Sequence, residues 1–120
     1  MSKARKILGA WGEKKAKNYL LEKEYQIIAT NYRTRMGEID LIARKKDQII
    51  FIEVKTRRNN FFGKPQLAVN YQKRNRIKKV ATLYMLKNNL KFCSKQWRFD
   101  VITIMLKSEE ISIKHFKNAF

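Results

Sequence analysis

Two runs of residues, Glu38 to Arg44 (EIDLIAR) and Ile49 to Thr56 (IIFIEVKT), are separated only by Lys45-Lys46-Asp47-Gln48. Both are rich in branched apolar residues, and a short polar link between two such runs predicts a β-hairpin. A link symmetric about Lys46 and Asp47 sets Arg44 opposite Ile49, and the other pairs follow. Ile39 then meets Val54, Leu41 meets Ile52 and Ala43 meets Ile50. That face is wholly apolar, and a slip of one residue would turn it to solvent. On the second face Ile42, Ile49 and Phe51 lie beyond a polar end, where Asp40 faces Glu53 and Glu38 faces Lys55.

The hairpin needs partners to cover both faces, and the flanking sequence offers them. From Ser2 to Glu24, Leu8, Trp11, Ala16, Tyr19 and Leu20 fall at helical spacing, an amphipathic stripe. Tyr25 to Tyr32, with Ile27, Ile28 and Thr30, reads as a strand before a polar turn over Arg33 to Gly37. A polar, turn-rich loop, Arg57 to Lys64, precedes Pro65, after which Ile77, Val80, Ala81 and Tyr84 mark a second helix. Trp97 to Leu106 and Ile111 to Phe116 read as two more strands. The order α, β, β, β, α, β, β predicts an α/β domain, a mixed central sheet flanked by helices. At 120 residues, with no stretch resembling a linker, one domain over residues 1–120 is expected.

Charge narrows the partners. Lys and Arg number 28 against 10 Asp and Glu, a formal net charge of +18. Self-repulsion at that charge opposes folding, so a polyanion is expected, nucleic acid before an anionic membrane surface. No basic helix with an apolar face speaks for the membrane. The single cysteine, Cys93, and single histidine, His115, exclude an intrachain disulfide and a Cys/His zinc cluster. The chain shows no signal-peptide pattern and no run of about 20 apolar residues, and Glu13 and Glu22 count against a transit peptide. A cytoplasmic location is expected.

In a chain so poor in acids, Asp40 facing Glu53 calls for a cation, because like charges opposite one another on a strand pair are destabilising. Hard oxygen ligands projecting into one site suit Mg²⁺, with Mn²⁺ as the alternative. Lys55 projects on the same side as Glu53, since side chains alternate with period two. A divalent ion polarises a phosphate oxygen and acidifies bound water, and a nearby ammonium can orient that water and offset developing charge. These are the parts of phosphodiester hydrolysis. The same residues would equally form a surface hairpin in which Glu38 pairs with Lys55 and Asp40 meets solvent or backbone amides.

Asp40 followed by Glu53-Val54-Lys55 resembles the D…ExK signature of PD-(D/E)xK nucleases. Together with Asn31-Tyr32-Arg33, Gly37 to Ala43, Phe51 to Arg57, Phe62-Gly63, Arg98 to Val101 and Asn118-Ala119-Phe120, it resembles the YraN-like family of bacterial proteins, over nearly the whole chain. That family is similar to archaeal Holliday-junction resolvases. The resemblance implies a restriction-endonuclease-like core in which Asp40, Glu53 and the Val54 carbonyl ligate the metal and Lys55 positions the nucleophilic water. It further implies that Glu13, on the first helix, completes the catalytic set directly or through water, and that Gly12 lets this helix approach the sheet. An i, i+4 pair of Glu13 with Lys17 is the alternative. Junction cutting would need two active sites, which a twofold homodimer supplies.

Phosphate contacts, to DNA ahead of RNA, are expected from Arg33, Arg35, Arg57, Arg58 and the outward positions Lys73, Arg74 and Arg76 of the second helix. Phe61 and Phe62, in the basic loop, are candidates for stacking on bases. Trp11, Tyr71 and Tyr84 are expected to pack in the core, Asp100 to serve in a structural ion pair, and His115 and Cys93 to be chemically inert. A hydrolytic serine is excluded, because the chain has no nucleophile elbow. The function expected is a Mg²⁺-dependent endonuclease. Its rivals are a catalytically silent nucleic-acid-binding module and a basic protein that assembles with another protein on nucleic acid or ribosomes.

Overall fold

The computed structural model describes residues 3–58, 70–88 and 97–120. Phe61, Phe62, Lys64 and Cys93 lie outside them. The elements run α1 (Lys3–Glu22), β1 (Gln26–Thr34), β2 (Gly37–Lys45), β3 (Gln48–Arg58), α2 (Tyr71–Lys87), β4 (Trp97–Lys107) and β5 (Glu110–Phe116). The strands form one five-stranded sheet in the order β1-β2-β3-β4-β5. All neighbours are antiparallel except β3 and β4. A parallel pair cannot be joined by a tight turn, and α2 lies in the crossover between them. The mixed α/β architecture expected from the pattern is therefore present. Among the described residues no helix is long and apolar enough to cross a membrane.

The hairpin register is the expected one: Lys45 pairs with Gln48, Arg44 with Ile49, Ala43 with Ile50, Ile42 with Phe51 and Leu41 with Ile52. The sheet separates two apolar clusters. Leu41, Ala43, Ile50, Ile52, Ile102 and Ile104 pack with Ala16 and Leu20 of α1, and Val54 lies against them. Ile42, Ile49, Phe51, Phe99 and Val101 pack with Ile77, Val80, Ala81, Tyr84 and Met85 of α2. The aromatic centre of the second cluster is Phe51, whose ring lies 5.5 Å from Phe99 and 5.9 Å from Tyr84. The chain end seals it, as Phe120 stacks on Phe99 and the Ala119 amide donates to the Phe99 carbonyl over 2.7 Å.

Ile39 departs from the expected face. It joins the α2-side cluster with Ile42 instead of lying beside Leu41. The alternation slips by one residue at Asp40, which sits across from Asn31, between the pairs Thr30–Leu41 and Tyr32–Ile39. Asn31 is in the left-handed region at φ 50°, a conformation Asn tolerates better than most residues, and the irregularity breaks strict period two. The expected turn over Arg33 to Gly37 is also shorter, because Thr34 already pairs with Gly37. Gly37, at φ 145°, lies where residues with a Cβ are rarely found.

Gly12 is buried, and a Cβ there would come within 1.8 Å of Thr56 Oγ1 and 2.8 Å of Thr56 Cβ. The close approach of α1 to β3 thus requires the glycine. Gly12→Ala improves helix propensity but overpacks this contact, so a net loss of about 1–3 kcal/mol is expected. Urea denaturation measures it, and an unchanged or raised midpoint would show that α1 shifts freely.

α2 begins where Asn70 caps it, its side chain accepting from the Lys73 amide at 2.8 Å. Tyr71 is 71% exposed, against the expectation that it packs. Six residues before Ile77 at 100° per residue, it points away from the buried stripe. Trp11 and Tyr84 pack as expected.

Candidate active site

The slip at Asp40 has a chemical consequence. The β2–β3 ladder ends at Leu41–Ile52, and one step further Asp40 Oδ2 accepts the Val54 amide at 2.8 Å. A carboxylate thus takes the backbone donor, which directs Asp40 to Glu53. The two acids line one cavity of about 210 Å³ together with Gly37, Glu38, Lys73, Arg76 and Ile77. Its walls come from β2, β3 and the first turns of α2.

Glu53 is buried, at 6% exposure, and forms an ion pair with Lys73 of α2. The Asp40 carboxyl is pushed up to about 8, first by burial and then by the Glu53 charge, with which it shares a hydrogen bond; the Val54 amide works against the rise. Two carboxylates this close do not both ionise readily without a cation.

Lys55 is half-buried, and its ammonium is held below the usual lysine range by burial and then by Lys73; Glu53 and Asp40 oppose the shift. Among the described residues it has no ion-pair partner. The Glu38–Lys55 ion pair of the alternative surface-hairpin reading is not found among the described residues. Glu38 instead meets Arg33, its β1 neighbour, at 3.5 Å. That choice depends on the β1–β2 register, which a bulge between Ile27 and Ala29 shifts by one residue.

Glu13 lies close enough to the carboxylate pair for its charge to raise Asp40. It belongs to α1, whose cluster covers the opposite face, and does not line the cavity. Among the described residues no three acidic, histidine or cysteine side chains converge as a metal-ligand group. Glu13 still feels the site: its carboxyl is raised mainly by burial, partly offset by a hydrogen bond with Asn31, with further increments from Glu38 and Glu53. The i, i+4 pair with Lys17 is not among the described ion pairs.

The basic residues divide. Arg35, Arg57, Arg58 and Arg76 are exposed, Arg76 on the cavity wall, and Arg33 is exposed beside Glu38. Lys73 and Arg74, expected to point outward, are half-buried. Lys73 is the residue the sequence reading misplaced: its type and spacing match the other cations of α2, and only the tertiary packing directs it to Glu53. Arg74 carries a buried Nε without a hydrogen-bond acceptor.

A larger depression, about 460 Å³, opens at the β2–β3 turn beside Lys45, Lys46 and Arg98. It holds no facing carboxylates. Arg98 is tied down by Asp100 at 3.0 Å, Gln48 at 2.9 Å and the Tyr25 hydroxyl at 2.9 Å. Asp100, fully buried, also engages His115 Nε2 at 2.7 Å and accepts the Asn118 amide at 3.1 Å. His115 Nδ1 in turn meets the Tyr19 hydroxyl at 3.1 Å. The structural role expected of Asp100 fits this network.

Comparison with known proteins gives one consistent picture. The model of a family described as "Uncharacterised protein family UPF0102" matches residues 12–104. A UPF0102 protein of Alkaliphilus oremlandii is 47% identical over 115 residues, covering 96% of this chain and 98% of the relative. One from Clostridioides difficile is 48% identical over 112 residues, 93% of this chain and 95% of the relative. One from Caldanaerobacter subterraneus is 43% identical over 119 residues, 97% and 96% of the two chains.

Proposed function

We propose that this chain, which belongs to the uncharacterised protein family UPF0102, the YraN-like group its motifs resemble, is a metal-dependent hydrolase of nucleic-acid phosphodiesters. The reading includes a PD-(D/E)xK, restriction-endonuclease-like core. One observation carries it: a single cavity brings Asp40 and Glu53 into hydrogen-bonding contact, with cationic side chains around them.

The donor set fits a hard divalent ion. Without a metal the pair is balanced by a proton on Asp40, whose carboxyl is pushed up to about 8, and by the Lys73 ammonium on Glu53, positive charge that a dication can replace. Asp40, Glu53 and the Val54 carbonyl would hold Mg²⁺, or Mn²⁺, through oxygen. When bound, the ion supplies Lewis acidity toward a phosphate oxygen and acidifies water.

The chain's own residues do the rest. Lys55, half-buried and without an ion-pair partner among the described residues, donates hydrogen bonds to an attacking water and offsets negative charge developing on the phosphoryl oxygens. Arg33, Arg35, Arg57, Arg58 and Arg76 contact phosphates and position the strand without reading its sequence. Glu13 acts from outside the carboxylate pair, through its charge or a water. The net charge of +18 favours a long polyanion, and we take it to be DNA ahead of RNA, with the protein in the cytoplasm. On a branched junction two copies of the chain would face two strands.

One observation favours a second reading, a binding module without turnover: Lys73 already compensates Glu53. Cleavage of labelled single-stranded, duplex and four-way-junction DNA, in Mg²⁺, Mn²⁺ or EDTA, separates the two. The hydrolase predicts metal-dependent cutting that disappears in both Asp40→Asn and Glu53→Gln. No cutting in any condition, with binding unchanged in the variants, would leave the binding module.

A further inference from the structure

We infer that the Lys73 ammonium is an exchangeable counter-ion of the carboxylate pair, displaced when a divalent ion binds and thereby released to grip a nucleic-acid phosphate. The inference rests on the metal-site reading of Asp40 and Glu53 and adds a coupling between metal and nucleic acid.

The premises are geometric. Glu53 is almost fully buried, so an unpaired charge there would be costly, and Lys73 supplies the partner. Lys73 is itself 41% exposed. Its backbone is pinned, because its amide caps against Asn70 at 2.8 Å, but its four-carbon stem is not. It therefore has both an ammonium in the site and a route out of it.

A divalent ion changes the electrostatic balance. Two carboxylates are neutralised by one dication, and Glu38, the third acid on the cavity wall, is met by Arg33, which leaves Lys73 facing the ion, Lys55 and Arg76. Of the two lysines, Lys55 is fixed on a central strand and electrostatically repelled by Lys73, whereas Lys73 can swing to solvent at low cost. Once outside it lies one helical turn from Arg76, on the cavity wall, and the two cations match the spacing of a phosphate clamp on one helix face. Reciprocity then requires that nucleic acid, by retaining Lys73 outside, tightens metal binding.

Three measurements on the full chain test this. Calorimetric titration with Mn²⁺ should give an affinity roughly 5- to 50-fold tighter in Lys73→Met than in wild type. In wild type, modification of Lys73 by an amine-reactive ester, read by mass spectrometry against Lys78 as internal reference, should rise when Ca²⁺ is added. A duplex oligonucleotide should bind wild type with a salt slope steeper by about 0.9 in Ca²⁺ than in EDTA, and Lys73→Met without that increment. Equal Mn²⁺ affinity in the two proteins, or Lys73 labelling unchanged by a bound ion, would overturn the exchange while leaving the metal site intact. Failure of wild type and variant alike to bind Mn²⁺ would remove both the exchange and the metal-dependent hydrolase.

Discussion

At pH 8 and without divalent ions, Asp40→Asn is expected to be more stable than the wild-type protein by about 2–4 kcal/mol, and below about pH 4 the two should nearly coincide. Burial and the Glu53 charge push the folded-state Asp40 carboxyl to about 8, against about 3.9 in an unfolded chain. A folded value above the unfolded one means that the folded chain holds the proton more tightly. That contribution is complete below about pH 4 and is lost as the pH rises through 8. Asparagine keeps the neutral form at every pH, and its carbonyl can still accept the Val54 amide that Asp40 engages at 2.8 Å. Urea melts of both proteins between about pH 4 and 8 check the result. Parallel pH dependences would mean that the carboxylate pair is relieved by something other than a shared proton.

Asp100→Ala should lose about 3–5 kcal/mol, a large part of the stability of a domain this size. The carboxylate has no exposure and engages Arg98, His115 and the Asn118 amide. Burial alone would raise its carboxyl, but the hydrogen bonds from His115, Arg98 and Asn118, with the Arg98 charge, outweigh burial and hold it below the ordinary value. The stabilisation is therefore present above about pH 4 and lost as the acid range is entered and the folded-state value is crossed. Truncation leaves the Arg98 guanidinium in a largely buried position without its anion. Replacing both members, Arg98→Met with Asp100→Leu, should recover part of the loss, since a removed pair costs less than a broken one. Guanidinium melts at pH 7 test the series, and a loss under about 1 kcal/mol for Asp100→Ala would show that water reaches the network.

The expected strands and helices are present because each carries its own periodicity. The β2–β3 register was readable because only one pairing places Leu41, Ala43, Ile50 and Ile52 together on one face, and a slip would break that match. Asp40, Glu53 and Lys55 were identifiable as a group for the same reason: alternation along two paired strands is a local rule, and the three residues stand at its polar end. The requirement for glycine at position 12 could be anticipated beside Glu13, although its contact with Thr56 could not.

Local rules stop where partners come from elsewhere in the chain. The face taken by Ile39 depends on Asn31 in the neighbouring strand, and the partner of Glu38 on a bulge in that strand. Asp100 could be read as one member of an ion pair, but the network it anchors, through His115 to Tyr19 and through Arg98 to Tyr25 and Gln48, joins four elements and the α1–β1 connection. Lys73 is the sharpest case, one of several similar cations on α2. Periodicity and charge patterning, properties of neighbouring residues, dictated the elements, the hairpin and the acids on it. The identity of the cation in the acidic cavity was settled by the docking of α2 on the sheet, because an ion pair depends on where two side chains meet in space and not on their distance along the chain.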